Sequence, residues 1–315
     1  MTAATVGDVK VWIAHESGLK TMGAIPAGFE IGLLPRGDAA LPGDPEAVEF
    51  WAPPFLGQGD VVGLAASMPN LKVVQLLSAG ADAWIGQLAD GVTLCDARGV
   101  HDSSTAEWTV GAILGSLRRF DFFAQAQAAG RWAYAEAAPT DELAGKSVLI
   151  VGAGSIGSAI ARRLEPFEVE LTYVARTARD GVHGIDELPR LLPQADVVVM
   201  IVPLTPETRG LADAGFFASL KDGALFVNAA RGPVADTAAM TKELATGRIF
   251  AALDVTDPEP LPAGHPLWTM SNVLLTPHVA GSVKGFIPRS YRLVGDQLRR
   301  FAQGESLLNV VRDGY

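Results

Sequence analysis

The chain has 315 residues, enough for about two domains at roughly 150 residues each, which excludes a one-module peptide binder. Apolar residues make up 49% and charged residues 19%, too much burial capacity and too little charge for a disordered or coiled-coil chain. With 25 Lys and Arg against 35 Asp and Glu the net charge is −10, which argues against nucleic acid or an anionic membrane surface as partner.

Short β-branched or apolar runs separated by turn residues predict five strands, over 9–13, 30–34, 48–51, 73–77 and 92–95. Ala- and Leu-rich stretches between several of them are long enough for crossover helices, the βαβ rhythm of a parallel sheet. From residue 103 onward, Ala106, Val110, Ile113, Leu114 and Leu117 fall at helical spacing and predict one long helix to about Ala129. A second strand series follows, over 147–151, 170–175, 197–202, 224–228, 249–254 and 273–276. Most of these are near-continuous apolar runs, the pattern of strands buried on both faces. Segments 155–164, 185–192, 207–219 and 237–246 can each supply a helix, and 288–303 is helical in pattern before a possible strand at 308–311. No uncharged apolar run reaches the ~18 residues of a membrane span. Cys95 is the only cysteine, so no internal disulfide or cysteine-based zinc site can form, and a cytoplasmic protein is expected. His15, His101, His183 and His265 lack metal-ligand spacing, and no metal is expected.

The run Ser147-Val-Leu-Ile-Val151 leads straight into Gly152-Ala-Gly154-Ser-Ile-Gly157 and then into a helix-compatible segment. In that context Gly152 permits a tight turn, Gly154 lets the backbone approach a pyrophosphate, and Gly157 allows helix and strand to pack closely. Ser155 and Ile156 would offer backbone amides to phosphate at a helix N-terminus. A carboxylate at the end of the next strand would bind the ribose 2′-hydroxyl of NAD, but that strand ends in Ala175-Arg176-Thr177-Ala-Arg179. Arg176, Thr177 and Arg179 can instead cup a 2′-phosphate, so NADP is expected, with NAD as the other candidate; the alternative is two solvated arginines on a loop.

Three segments downstream carry polar residues at the ends of apolar strands, where open α/β sheets build their ligand sites. They are Asn228-Ala-Ala-Arg231-Gly232, Asp254-Val-Thr-Asp-Pro-Glu259-Pro260 and Thr276-Pro-His278-Val-Ala-Gly281. With the glycine turn, and with Leu76-Leu-Ser78-Ala79-Gly80, Thr105-Ala-Glu107, the Val202–Gly210 stretch and the closing Asn309-Val-Val311, the chain resembles the D-isomer-specific 2-hydroxyacid dehydrogenase family, glyoxylate/hydroxypyruvate reductases among them. The match runs from about Val48 to Val311. The resemblance implies an α/β fold of two doubly wound parallel-sheet domains. A Rossmann dinucleotide-binding domain, 102–283, would be inserted into a flavodoxin-like substrate domain made of 1–101 and 284–315. The chain would then cross between domains twice, an arrangement suited to a closing cleft.

The resemblance also places the family's catalytic set on Arg231, Glu259 and His278. An imidazolium is well suited to give and take the proton at a carbonyl oxygen near neutral pH. A glutamate can orient the ring, and a guanidinium can fork onto a 2-oxo acid's carboxylate and carbonyl. Taken singly, Arg231 could only cap its loop, Glu259 could be a solvated acid, and His278 could be an ordinary satisfied histidine. By the same resemblance the amides at Ser78, Ala79 and Gly80 would meet the substrate carboxylate. Asp254 would contact the nicotinamide carboxamide, and Val202, Pro203, Thr208, Ala229, Ala230, His278 and Gly281 would border the cofactor. A homodimer through the dinucleotide-binding domain is implied, with Trp132 near the neighbouring site. The loops expected to face substrate, 51–56 and 77–82, contain no Lys or Arg, which disfavours a phosphorylated substrate. Trp51, Phe55 and Leu56 could line an apolar pocket, leaving glyoxylate, hydroxypyruvate or a larger apolar 2-oxo acid. A dinucleotide-sensing corepressor of the same fold is the rival reading.

Overall fold

A computed structural model of the chain describes residues 9–35, 40–55 and 61–312. The chain divides into two compact units, one made of both chain ends, Met1–His101 with Lys284–Tyr315, and one inserted between them, Asp102–Val283.

The terminal unit carries strands β1 (Val9–Ile13), β2 (Phe29–Leu33), β3 (Val48–Ala52), β4 (Val73–Gln75) and β5 (Thr93–Cys95), all parallel, in the order β2-β1-β3-β4-β5. This is the flavodoxin-like order. Side chains alternate across the sheet, so Val11, Ile13 and Phe50 face one core with Tyr291, Val294 and Leu298 of the C-terminal helix Phe286–Gln303. Trp12, Trp51 and Val74 face a second core with Trp84. Among the described residues, the expected crossover helices are short pieces, the 3-10 turns Glu16–Lys20, Pro45–Ala47 and Ala65–Ser67 and the one-turn helix Val61–Leu64. Prolines and glycines recur in these connections, and neither sustains a helix interior. The strand expected at 308–311 is a single antiparallel bridge, Cys95 to Val310, because Asn309 at φ 53° breaks the extended run.

The inserted unit carries β6 (Ser147–Val151), β7 (Glu170–Ala175), β8 (His183–Gly184), β9 (Val197–Met200), β10 (Leu225–Asn228), β11 (Phe250–Leu253) and β12 (Val273–Leu275). All pair in parallel, in the order β12-β11-β10-β9-β6-β7-β8. Renumbered within the unit, this is the Rossmann order 3-2-1-4-5-6 with a seventh strand beyond, and the order reverses beside β6, the strand that feeds the glycine turn. Val148, Ile150, Val197 and Val199 pack on one face with Ile113 of the helix Asp102–Leu117 and Ile160 of the helix Ser155–Leu164. Leu149, Val151, Val198 and Met200 pack on the other face with Phe216, Phe217 and Phe226. Both faces are covered, which explains the continuous apolar strands.

The single helix expected from 103 to 129 is two helices, Asp102–Leu117 and Phe120–Ala128. Arg119 sits between them at φ 53°, where its guanidinium lies 5.7 Å from the ring centres of both Phe122 and Phe250. A left-handed arginine costs roughly 1–2 kcal/mol, a cost that two cation–π contacts can offset. The helix expected over 207–219 forms only at Ala214–Ser219, because Gly210 turns at φ 66° and Asp213 accepts from the Phe216 amide at 2.8 Å as N-cap. The two-residue strand β8 was too short to show a period. Among the described residues no helix is long and apolar enough to cross a membrane.

Candidate active site

The glycine turn behaves differently at each of its glycines. Gly152 adopts φ +124°, and a Cβ there would fall 2.5 Å from the Ile201 carbonyl oxygen. A Cβ at Gly157 would fall 2.0 Å from the Gly152 carbonyl oxygen, so both positions exclude side chains for reasons internal to the protein. Gly154 has an ordinary φ of −88°, and its Cβ would meet nothing within 4 Å. Its missing side chain leaves space directly over the N-terminus of the helix Ser155–Leu164, which no side chain caps. Bare first-turn amides and a helix dipole beneath open space suit a pyrophosphate. Ser155 and Ile156 are the first two residues of that helix, and the Ser155 hydroxyl donates to Asp102 Oδ1 at 3.0 Å.

Arg176, Thr177 and Arg179 are exposed on the loop after β7. Arg179 reaches back to the turn, donating from Nη2 to the Ala153 carbonyl at 2.9 Å. Arg176 faces the loop after β9: a hydrogen bond from Thr205 holds the Glu207 carboxyl below its usual range, and the Arg176 guanidinium adds to that effect. Thr208 closes the same loop, its hydroxyl donating to the Pro203 carbonyl at 2.6 Å and accepting from the Thr205 amide at 2.8 Å. Val202 and Ala229 are half-buried at strand ends, whereas Ala230 is buried in the core.

The catalytic candidates sit on the loops after β10, β11 and β12. His278 Nδ1 lies 2.7 Å from Glu259 Oε1. The carboxylate can only accept, so Nδ1 carries the proton, and Nε2 has no protein partner among the described residues. His278 itself stands at φ 53°, its amide donating to the Asp254 carbonyl at 2.7 Å. The loop around it is held by the Asp254 carboxylate, which is 2% exposed. Oδ1 accepts from the Thr276 hydroxyl at 2.6 Å and the Val279 amide at 2.9 Å, and Oδ2 accepts from the Ala280 amide at 2.9 Å. Expected as a cofactor contact, Asp254 is therefore first of all the anchor of the histidine loop. Gly281 follows this anchored turn.

Arg231 has an extended backbone and donates from Nη1 to the Ala230 carbonyl at 2.9 Å. The next residue, Gly232, is buried where a Cβ would lie 1.9 Å from the Thr256 carbonyl oxygen, so the arginine loop rests backbone against backbone on the loop that carries Glu259. Gly232 was not among the expected site residues. Its signal was present only as a glycine directly after the arginine.

In the terminal unit, Ser78, Ala79 and Gly80 form a half-exposed turn in which the Ser78 hydroxyl donates to the Gly80 carbonyl at 2.7 Å. Of the apolar pocket expected from Trp51, Phe55 and Leu56, the placement of Trp51 needs correction. Trp51 is fully buried, edge-on to Trp84 at 5.6 Å, because its position in β3 turns it into the second core. Phe55 packs on Phe286 at 4.4 Å and stacks on His101 at 5.6 Å, and Leu56 lies outside the described residues. Cys95 is buried, and desolvation followed by the nearby Asp96 pushes its thiol up to about 12.

Comparison with known proteins accords with this architecture. Residues 110–280 match the family model described as D-isomer specific 2-hydroxyacid dehydrogenase, NAD binding domain. The chain is 37% identical over 251 residues to a protein named glyoxylate reductase from Thermofilum pendens, covering 75% of this chain and 74% of that one. It is similar to the crystal structure of a D-isomer specific 2-hydroxyacid dehydrogenase from Xanthobacter autotrophicus Py2 in complex with NADPH and MES. The TM-score is 0.82 at 35% identity, over 98% of this chain and all of that chain. It is also similar to an NADPH-dependent glyoxylate/hydroxypyruvate reductase from Sinorhizobium meliloti solved with NADP and sulfate, with a TM-score of 0.83 at 28% identity over 98% of this chain and all of the other.

Proposed function

The chain belongs to the D-isomer specific 2-hydroxyacid dehydrogenase family of NAD(P)-dependent oxidoreductases, and on that footing we propose that it reduces a small unphosphorylated 2-oxo acid with NADPH in preference to NADH. The observation that carries the reading is the His278–Glu259 pair at 2.7 Å, a protonated Nδ1 facing a carboxylate and an Nε2 left for substrate. The reduced nicotinamide, when bound, supplies a hydride to the carbonyl carbon. His278 Nε2 gives the proton to the carbonyl oxygen, and Glu259 holds the ring and stabilises its charged form. Arg231 pairs with the substrate carboxylate and polarises the carbonyl. In the terminal unit, the turn of Ser78, Ala79 and Gly80 is a candidate for binding an anionic group.

Gly152, Gly154, Ser155, Ile156 and Gly157 are assigned to the pyrophosphate, with the open space over Gly154 as support. The preference for NADPH is supported by the absence of a carboxylate at the end of β7, by Arg176 and Arg179 beyond it, and by the NADPH and NADP held by the two similar structures. Glyoxylate and hydroxypyruvate head the candidate substrates because relatives carry those names. A homodimer through the inserted unit is supported by Phe120, Trp132 and Tyr134, which are 61%, 95% and 70% exposed. A cytoplasmic location is supported by the single buried cysteine. The test is NADPH and NADH oxidation against glyoxylate, hydroxypyruvate, larger apolar 2-oxo acids and 3-phosphohydroxypyruvate. Turnover confined to the phosphorylated acid, or faster with NADH, would overturn the corresponding part of the reading.

A further inference from the structure

Asn228 ends β10 and is 1% exposed, a polar side chain closing a strand that is otherwise apolar. Its Oδ1 accepts from the Ala230 amide at 3.0 Å, and its Nδ2 donates to the Arg231 carbonyl at 3.1 Å. One buried amide thus grips the chain on both sides of the Ala230–Arg231 peptide bond. The carbonyl of that peptide accepts from Nη1 of the Arg231 guanidinium at 2.9 Å. The Asn228 carbonyl in turn accepts from the Asp254 amide at 3.0 Å, and the Asp254 carbonyl accepts from the His278 amide at 2.7 Å. The loops bearing arginine and histidine are therefore registered to each other through the ends of adjacent strands, β10 and β11, paired with Asn228 beside Leu253.

We propose that Asn228 is a positioning residue for Arg231: it contacts no substrate but fixes the peptide on which the substrate-binding guanidinium is seated. The inference rests on the reading that Arg231 holds the 2-oxo acid's carboxylate. It explains why an amide, a donor and an acceptor on one short side chain, closes this strand. Aspartate has nearly the same volume but no donor, and would set a negative oxygen against the Arg231 carbonyl. Inside the protein such an unmade bond displaces the loop or leaves the carbonyl unpaired.

The test is a double-mutant cycle of Asn228→Asp and Arg231→Ala, with kcat and KM for glyoxylate or the best 2-oxo acid and with Kd for NADPH by fluorescence titration. Rates of the Arg231→Ala forms are read by single-turnover NADPH oxidation at excess enzyme. N228D is expected to lower kcat/KM about tenfold or more, chiefly through KM, with NADPH affinity within about twofold of wild type. On the R231A background the same substitution should cost less than about twofold, because the guanidinium it positions is gone. N228S keeps an acceptor for the Ala230 amide without reaching the Arg231 carbonyl, and serves if N228D fails to fold; the same KM-directed, non-additive loss is expected. An equal loss in both backgrounds, or a kcat/KM unchanged by N228D or N228S, overturns the positioning role alone. A wild-type KM in R231A, or no 2-oxo acid turnover by the wild type, removes the substrate reading and this proposal with it.

Discussion

The Glu259 carboxylate accepts from His278 Nδ1 at 2.7 Å, while the histidine backbone is held at φ 53° by the neighbouring Asp254 loop. The ring is thus fixed from both ends, by its own nitrogen and by its main chain. Glu259→Gln keeps an acceptor but removes the charge that stabilises the imidazolium. It is expected to lower kcat about 10- to 100-fold while NADPH affinity stays near wild type. Steady-state kinetics beside a cofactor titration check this.

Breaking the anchor beneath the histidine should act differently from removing the ring's partner. Asp254→Asn replaces one acceptor oxygen by a donor facing the Thr276, Val279 or Ala280 donors. We expect a loss of about 2 kcal/mol in stability together with a fall in kcat, read by denaturant unfolding and initial rates.

Gly152 and Gly154 of the turn after β6 separate folding from the cofactor binding proposed there. Gly154→Ala meets nothing in the protein and should cost only about 0.5 kcal/mol of stability, yet weaken NADPH binding at least about tenfold. Gly152→Ala forces a side chain to φ +124° and to within 2.5 Å of Ile201, and should destabilise by about 2 kcal/mol or more. Thermal melts and NADPH titrations of the two variants should rank them in opposite orders.

Cofactor choice is tested at Arg179, which bridges the loop after β7 and the Ala153 carbonyl. Arg179→Ala is expected to raise KM for NADPH about tenfold and to leave KM for NADH within about twofold. Equal effects on both would assign Arg179 to the turn alone.

Cys95 supplies a pH signature in the terminal unit. Its thiol rises from 9.0 to about 12 on burial, so the folded state binds a proton that the unfolded chain releases above about pH 9. Stability should therefore fall between pH 9 and 11 more steeply in wild type than in Cys95→Ala, as thermal unfolding at both pH values would show. The native thiol should also resist alkylation at pH 8.

The alternating series of apolar runs made both parallel sheets legible, since strands such as β9 and β10 are buried on both faces and carry no polar interruption until Asn228. What periodicity could not reveal was decided by tertiary contacts. The break at Arg119 depends on Phe250, more than a hundred residues away, and the burial of Trp51 depends on which face of β3 meets Trp84. In the site, the paired histidine and glutamate were readable as motif residues. The roles of Asn228, Asp254 and Gly232 were not, because they act through backbone atoms of neighbouring loops, which spacing in the sequence does not encode.

His278 is proposed to deliver the proton in reduction of a 2-oxo acid. Its most direct test is NADPH oxidation by wild type and by His278→Ala with the best 2-oxo acid, at saturating cofactor. A loss of about 10²- to 10⁴-fold in kcat with NADPH affinity unchanged is the expected result; a His278→Ala rate within about tenfold of wild type would contradict it.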